Sequence, residues 1–535
     1  MPRPLSPEST LDTLETEARR RLQAMRVDDP AATLRAARHA VALDYGFTGW
    51  TALKDALADI VLGRLTDTER VNIVLRAAWE GDPAPARRII ARHPDVARAS
   101  LLTAVVLGDL EEVRGRLAED PALADARGGP LNWEPLLYLA YSRIDAANSV
   151  AVATALLDAG ADPNAWFDDG WGNPFKAITG VIGQGEQGRP THPQAEALVR
   201  LLIDRGADPF DTQALYDTSL GADDTTWLEL LYRASVARGD KARWRALGQG
   251  LGGDFEVSTI DYLLGNAVTH DHRRRVIWLV ANGADPNSVN AYSGHRHHTQ
   301  ALLLGFTATA GLLAQRGSRI DQLTGPLAFQ VAAMRRERAT VRAMAEANPA
   351  LLANPAPLLQ AAAQGEAEAV AALLAAGMPP DLALRDGRRA LHNAASRGSV
   401  PTARLLVEAG ADVDARGTQY DATPLGFASH FGHAEMVAYL APLSRDVFAL
   451  TKAGLLARLE ALLQAEPALA NARLGNGRTA LFSLPDDEDL AAQAARLLLA
   501  HGADPARKDN TGLIPSQLAR QRGLAEAAEL LGSSD

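Results

Sequence analysis

The sequence predicts an all-α solenoid, a stack of helical pairs, on the strength of two observations. First, an apolar helical run followed by Gly-Ala-Asp recurs along the 535 residues. Second, the copies are evenly spaced, since Gly377 and Gly410 lie 33 positions apart and Gly283 and Gly317 lie 34 apart. Self-similarity at this period is typical of stacked repeats that share one elongated core. The exact triplets begin at Gly160, Gly206, Gly283, Gly410 and Gly502.

The residues around Thr423 explain why each repeat should fold as a pair of helices. Thr423 is suited to cap a helix, and Pro424 fits the first helical position, where its missing N–H costs nothing. Gly410 is suited to end the preceding helix in a left-handed conformation, and the Asp after the glycine pair suits a tight turn. Leu405 and Leu406 supply an apolar stripe for the neighbouring repeat to cover.

These motifs resemble the ankyrin repeat, whose pattern is T-P-L-H-x-A-A-x-x-G, an apolar helix and then G-A-D. The match is specific at Thr423-Pro424-Leu425 and at Ala390-Leu391-His392. The resemblance implies about a dozen repeats, many of them degenerate, with short β-turn fingers and a concave groove for a partner. The stretch from Tyr45 to Trp50 is similar to a small N-terminal module found ahead of bacterial ankyrin arrays.

Four regions follow from these patterns. We expect the first to be a helical cap in which Phe47, Trp50 and Leu53 cover the first repeat, because an uncapped solenoid exposes its core. The regions are residues 1–63, the N-terminal capping module; 64–131, degenerate repeats; 132–300, irregular repeats with an inserted loop at 180–193 and a candidate pocket; and 301–535, more regular repeats with a C-terminal cap.

Composition excludes several classes of protein. The net charge of −11 argues against a general binder of nucleic acids or anionic membranes. The absence of cysteine removes disulfides and thiol nucleophiles. The N-terminus is polar, and no uninterrupted apolar run approaches the ~18 residues of a membrane helix. We therefore expect a cytoplasmic protein, without nucleic-acid or membrane partners, metal or cofactor.

An insertion marks the irregular repeats. Gly160 and Gly206 lie 46 positions apart, 13 more than the standard 33, and the extra residues fall between two helices, within 180–193. Its glycines predict a mobile lid at the groove edge, although surface insertions are also tolerated without any function. No Gly-Lys-Ser/Thr follows, so the segment is not a phosphate-binding loop.

Aromatic residues are concentrated in the same region, although they make up only 5% of the chain. Alignment on the repeat places Tyr138 and Tyr216 at the groove-facing variable position. We expect the cluster to line an apolar pocket with polar tips, the alternative being that its members fill the core. The cluster comprises Trp133, Tyr138, Tyr141, Trp166, Phe167, Trp171, Phe175 and Tyr216.

Three groups of histidines are candidates for a binding or catalytic role. His270 is expected to face the groove together with Asn266 and Thr269. His192 forms a candidate acid–base pair with Glu186, the alternative being a simple turn histidine. His295, His297 and His298 share a finger, and an exposed, adaptable finger tip is favoured over a metal site because no carboxylate lies at ligand spacing. His392 is expected to be structural.

Two functions fit the sequence. The first is a scaffold that binds a protein or small molecule in its groove without chemistry, using Asn393, Arg397, Phe427, His430 and Phe431 in the regular half. The second is a cofactor-free dehydratase- or cyclase-type enzyme of bacterial small-molecule biosynthesis, which a weak resemblance to bacterial ankyrin-like chains implies. In that enzyme, His270 or His192 would act as acid or base, and Tyr138, Tyr216, Asp169 or Glu186 would orient the substrate.

Overall fold

A computed structural model gives the architecture of most of the chain. Helices dominate, and the contacts divide the chain into two compact units. The first unit consists of Met1–Lys54, Leu302–Gly305 and Gln322–Asp535, and the second of Asp55–Ala301 and Phe306–Asp321. The structure describes residues 2–6, 8–29, 32–144, 146–168, 170, 172, 174–185, 188–247, 251–417 and 421–532.

The secondary structure consists of short helices joined by turns, with a single hairpin of two strands in the described residues. The antiparallel strands β1 (Trp166–Asp168) and β2 (Pro174–Lys176) pair Phe167 with Phe175. The helices are α1 (Leu11–Asp28), α2 (Leu34–Asp44), α3 (Trp50–Arg64), α4 (Asp67–Glu80), α5 (Pro83–Arg92), α6 (Leu101–Leu107), α7 (Leu110–Glu119), α8 (Pro135–Tyr141), α9 (Ser149–Asp158), α10 (Ala177–Ile182), α11 (Ala195–Asp204), α12 (Thr212–Ser219), α13 (Thr226–Ala237), α14 (Thr259–Thr269), α15 (Arg273–Ala281), α16 (His297–Leu303), α17 (Thr307–Gln315), α18 (Gly325–Met334), α19 (Arg338–Ala347), α20 (Ala356–Gln364), α21 (Ala367–Ala375), α22 (Ala390–Arg397), α23 (Val400–Glu408), α24 (Pro424–His430), α25 (Ala434–Leu440), α26 (Val447–Lys452), α27 (Leu456–Ala465), α28 (Glu488–Ala500), α29 (Pro515–Gln521) and α30 (Ala525–Gly532).

Within each unit, alternate helices stack in two layers. In the second unit α6, α8, α10, α12 and α14 contact one another in succession, as do α7, α9 and α11. In the first unit the same order holds for α20, α22, α24 and α26, and for α19, α21, α23 and α25. Each layer buries its apolar stripe against the next repeat, which confirms the predicted solenoid of helical pairs.

The regular repeats use the predicted caps. The Thr423 hydroxyl accepts a hydrogen bond from the Gly426 amide at 3.3 Å, and Pro424 opens α24. Gly410 has a φ of 94°, the left-handed region expected after a helix. His392 is fully buried, and its Nε2 lies 3.2 Å from the carbonyl oxygen of Ala422 in the next finger. The structural role predicted for His392 is therefore confirmed.

The N-terminal helices α1 and α2 pack on each other and meet α28 and α30 through ion pairs. The buried carboxylate of Glu526 contacts the guanidinium groups of both Arg26 and Arg496. Arg38 bridges Glu15 and Glu488, at 2.9 and 2.6 Å. The sequence did not predict this contact between the first and last helices of the chain.

Two of the residues expected to cap the first repeat take different positions. Leu53 is fully buried, whereas Trp50 lines a small cavity with Arg38 and with residues 487–489 at the start of α28. Across the described ranges, no helix has both the length and the apolar character that crossing a bilayer requires.

Candidate functional site

The irregular repeats of the second unit enclose a cleft of about 800 Å³. Its walls come from the ends of helices and from the loop that joins α10 to α11, where side chains are free of the regular packing between repeats. Clefts of this size are typical of small-molecule sites. Its described lining is Trp79, Tyr141, Arg143, Phe167, Pro174, Phe175, Thr179, Gly180, Gly183, Gln184, Gly185, Arg189, Thr212, Gln213, Tyr216, Asp217, Leu251, Gly252 and Tyr292.

One wall of the cleft is a continuous aromatic cluster. Phe167 on β1 stacks on Trp133, with ring centroids 4.3 Å apart, and on Phe175 of β2 at 5.6 Å. Trp79, at the end of α4, meets Trp133 edge to face at 4.9 Å and Tyr141 at 5.6 Å. Such offset and edge-to-face contacts hold the rings rigidly, so the wall is preorganised for an apolar ligand.

Close packing beneath this wall explains its shape. Tyr141 is 4% exposed, and its hydroxyl donates to the carbonyl oxygen of Lys176 at 3.0 Å. Gly180 in α10 packs directly against the Tyr141 ring. A Cβ added at this position would lie only 2.3 Å from the ring, so a larger residue would not fit without a shift. Burial, reinforced by the negative charges of Asp211 and Asp217, raises the pKa of Tyr141 well above its usual value. The phenol therefore stays neutral.

The inserted loop forms the edge of the cleft. Gln184 and Arg189 form an antiparallel bridge, so the described part of the loop is a small hairpin. The hairpin is fixed at both ends. At one end, the Arg189 guanidinium carbon lies 3.5 Å from the centroid of the Trp79 ring. At the other end, Gly185 packs closely on α12, since a Cβ added to it would lie only 3.0 Å from the Asp217 carboxyl. The expected mobile lid is thus docked on the cleft in this structure.

Two arginines supply positive charge to the cleft. Arg189 donates to the carbonyl oxygen of Trp79 at 3.0 Å, and Arg143 donates to the carbonyl oxygens of Ser142 at 2.8 Å and Gly180 at 2.8 Å. Burial, with repulsion from Arg189, lowers the pKa of Arg143 to about 10. Burial also lowers the pKa of Arg189. Both groups remain charged at neutral pH.

Helix α12 provides a polar wall. The Asp217 carboxylate accepts a hydrogen bond from Gln213 at 2.9 Å, one turn earlier on the helix. Asp211, which caps α12, accepts from Thr179 at 2.9 Å and pairs with Lys176 at 3.2 Å. Tyr216 projects from the same helix into the cleft.

A second cavity of about 210 Å³ adjoins the cleft and shares Tyr216 and Tyr292 with it. His270 lines this cavity together with Asn266 and Thr269, as the alignment of groove positions predicted. His270 Nδ1 lies 2.9 Å from the carbonyl oxygen of Asn266. His270 therefore belongs to the smaller cavity and not to the cleft.

Two candidate catalytic residues are core residues instead. Tyr138 is 2% exposed, and its hydroxyl donates to the carbonyl oxygen of Gly128 and accepts from the Leu131 amide, both at 3.0 Å. The preceding finger therefore covers Tyr138, which the repeat alignment had placed in the groove. His192 is 3% exposed and accepts from the Gln194 amide at 3.0 Å. Burial, with the positive charge of Arg143 added, lowers the pKa of His192 to about 4.

The remaining predicted residues fall into four sets. Tyr141, Phe167, Phe175 and Tyr216 line the cleft, Trp133 supports it from below, and Trp166 is 49% exposed outside it. The candidates Asp169, Trp171 and Glu186 lie outside the described residues.

The expected exposed finger tip is wrong for two of its three histidines. His297 and His298 are buried at the start of α16, and His295 is half-buried. His297 Nε2 lies 2.8 Å from the Ser288 hydroxyl, and burial lowers its pKa to about 4. Nowhere in the described ranges do three or more His, Asp or Glu side chains gather to hold a metal ion.

The predicted groove residues of the regular half lie on α22 and α24. The Asn393 amide donates to the carbonyl oxygen of Leu359 at 2.9 Å, which links two repeats. Phe431 is 52% exposed and lies 5.0 Å from the His430 ring. Phe427 is half-buried and packs edge to face on His392, whereas Arg397 is exposed.

Sequence reasoning missed Trp79, Arg143, Arg189, Gln213 and Tyr292, which also line the cleft. Trp79 falls in the degenerate repeats before the region predicted to hold the pocket. The two arginines carry no motif, since their position depends on where the inserted loop docks. The density of aromatic residues and the insertion between Gly160 and Gly206 were the local signals for this site.

The helical pairs, left-handed glycine caps and projecting fingers define the chain as a helical repeat scaffold. A family profile of ankyrin repeats matches residues 358–452 as three copies. The ankyrin repeat protein YahD of Escherichia coli (strain K12) is 28% identical over 194 residues, which is 33% of this chain and 94% of YahD. Residues 358–452 of the chain are therefore ankyrin repeats.

Two solved structures show similarity to parts of the chain. The ankyrin repeat domain of Bcl-3, a member of the IκB family, has a TM-score of 0.29 at 22% identity and aligns with 40% of this chain and 100% of that domain. A chain in the structure of the Bdellovibrio bacteriovorus endopeptidase Bd0816 with immunity protein Bd3460 has a TM-score of 0.26 at 20% identity. That alignment covers 33% of this chain and 97% of that one.

Proposed function

We propose that this ankyrin-repeat protein is a binding scaffold that takes a small aromatic ligand into the cleft of its irregular repeats, without chemistry. Ankyrin repeats generally serve as interaction scaffolds. The observation that carries the proposal is the cleft of about 800 Å³, with Phe167, Phe175 and Trp79 held in fixed ring contacts along one wall. A preformed aromatic wall binds flat apolar groups at little cost in conformational entropy.

Of the acid–base candidates within the described residues, Tyr216 alone lines this cleft. The Tyr138 hydroxyl is occupied by backbone partners, His192 is buried and His270 lies in the neighbouring cavity. General acid–base catalysis needs such groups within hydrogen-bond reach of one substrate. No observation among the described residues therefore favours the enzymatic alternative over binding.

A neutral fluorescent aromatic compound tests the proposal directly. N-phenylnaphthylamine brightens in apolar sites, and we expect the full-length protein to bind it with a 1:1 stoichiometry. The Phe175→Ser variant should bind about tenfold more weakly, because part of the aromatic wall is lost. Phe431→Ser is the matched control, since Phe431 is an exposed phenylalanine of the other unit.

The variant pair also shows what would contradict the proposal. Equal affinities of the wild type, Phe175→Ser and Phe431→Ser would mean that the cleft is not the site. No binding at the solubility limit of the compound would mean that the cleft does not accept aromatic ligands. The regular-half surface of Asn393, Arg397, Phe427, His430 and Phe431 stays a prediction for a protein partner.

A further inference from the structure

Arg143 and Arg189 differ from Lys176 on the neighbouring strand β2 in how their charge is balanced. Lys176 pairs with the Asp211 carboxylate at 3.2 Å. The two guanidinium groups, in contrast, donate only to backbone carbonyl oxygens, and within the described residues neither forms an ion pair with a carboxylate. Carbonyl oxygens satisfy N–H donors but do not cancel a positive charge.

The two guanidinium groups also lie near enough to repel each other, and this repulsion adds to burial in lowering the pKa of Arg143. Arg143 Nε is buried and has no hydrogen-bond partner. A buried, unpaired donor on a charged group costs free energy unless something occupies it. Among the described residues, these features leave two uncompensated positive charges in the lining of the cleft that also carries the aromatic wall.

Arg189 contacts Trp79, so the positively charged part of the cleft adjoins its aromatic wall. The Arg189 guanidinium carbon lies 3.5 Å from the ring centroid, and among the described residues its one hydrogen bond runs from Nη1 to the Trp79 carbonyl oxygen, so its other N–H donors can serve a planar acceptor. Carboxylate and sulfonate groups match the guanidinium fork better than a single oxygen does. The Asp217 carboxylate on α12 also lines the cleft and would repel an anion, so the charged end of a ligand should lie beside the two arginines.

We infer that the ligand of this cleft is an aromatic compound that carries an anionic group, which Arg143 and Arg189 bind while the rings lie against Phe167 and Phe175. The inference rests on the proposed function and specifies its ligand class. It assigns Arg143 and Arg189 as the residues that determine specificity for charge. The aromatic wall should contribute equally to the binding of charged and neutral ligands.

A pair of probes separates the two contributions. Anilinonaphthalene sulfonate has the frame of N-phenylnaphthylamine with one sulfonate added, and both are measured by fluorescence titration. The wild type should bind the sulfonate about tenfold more tightly than the neutral compound, because a hydrogen bond between charged groups is worth about one decade or more. Phe175→Ser should weaken both probes.

Arginine variants then test the charge assignment. Arg189→Gln should abolish the preference for the sulfonate, measured as the ratio of the two affinities, because that ratio cancels any change in the aromatic site that both probes share. Arg143→Gln should do the same, and circular dichroism melting checks that it folds, since Arg143 also caps carbonyl oxygens. Arg200→Gln is the matched control, because Arg200 is exposed on α11 and pairs with Glu196 at 2.8 Å.

The outcomes distinguish the inference from the proposal beneath it. If both probes bind equally well, or if Arg189→Gln keeps the preference, the charge inference is wrong and the aromatic site stands. If Phe175→Ser affects neither probe, both ideas are wrong, because binding then occurs elsewhere. A preference that disappears in Arg189→Gln but persists in Arg200→Gln supports the inference.

Discussion

The regular repeats of residues 356–440 and the irregular repeats of residues 135–204 build the same helical pair but join its helices differently. Only Gly398 and Ser399 separate α22 from α23, whereas residues 183–194 separate α10 from α11. The short turn lets successive pairs pack along their whole length. The long connection folds against the helix ends and encloses the cleft. In this chain, a departure from the repeat therefore marks the candidate site more clearly than the repeat itself.

The largest expected effect compares two fully buried leucines, one from each region. Leu406→Ala on α23 and Leu198→Ala on α11 each remove a fully buried side chain and should lower the free energy of unfolding by about 2–5 kcal/mol. Only Leu198→Ala should also weaken binding of N-phenylnaphthylamine, since α11 follows the inserted loop. Urea denaturation and probe titration measure the two effects. Equal loss of binding in both variants would contradict the separation of packing from binding.

A smaller loss of stability is expected when a larger residue replaces the glycine packed against Tyr141. Gly180→Ala places a methyl group within 2.3 Å of the Tyr141 ring, and overpacking of this kind costs about 3 kcal/mol at the upper end of its range. The thermal midpoint should fall and the aromatic probe should bind more weakly. Gly311→Ala is the control, because nothing lies within 4 Å of a Cβ at this exposed position in α17. That variant should gain up to about 1 kcal/mol from helix propensity.

The smallest predicted effect depends on pH. The pKa of His192 is lowered to about 4 in the folded chain, so the unfolded chain takes up a proton first as the pH falls. The contribution of neutral His192 to the free energy of unfolding is fully present above about pH 6.5. It should decline by up to about 2 kcal/mol at pH 5. Hydrogen exchange of α10 and α11 at pH 7 and pH 5 measures this loss. In His192→Asn, which keeps an acceptor for the Gln194 amide, the loss should shrink; an unchanged pH dependence would exclude His192 as its source.

Most of the fold was predictable because its signals are local. The Gly-Ala-Asp triplets, Thr423-Pro424 and the 33-residue period each act within one repeat, and the structure confirms the resulting stack of helical pairs. Part of the site was predictable for the same reason, since Phe167, Phe175 and Tyr216 lie in recognisable positions of the repeat.

The rest depended on contacts between distant residues. Arg189 reaches Trp79 across 110 positions, and no local pattern indicates such a pairing. Tyr138 was misjudged because the finger before it supplies both partners of its hydroxyl. His297 and His298 were misjudged because α16 begins at His297 and carries both side chains into the core.

The contact of α1 and α2 with α28 and α30 has a consequence for biosynthesis. Arg26 and Glu526 are 500 positions apart, so this pair cannot form until nearly the whole chain has left the ribosome. At about 5–20 residues per second, translation imposes a delay on the order of 25–100 seconds. During that interval Arg26 has no Glu526 to pair with, so the contact between the first and last helices of the chain forms only as synthesis ends.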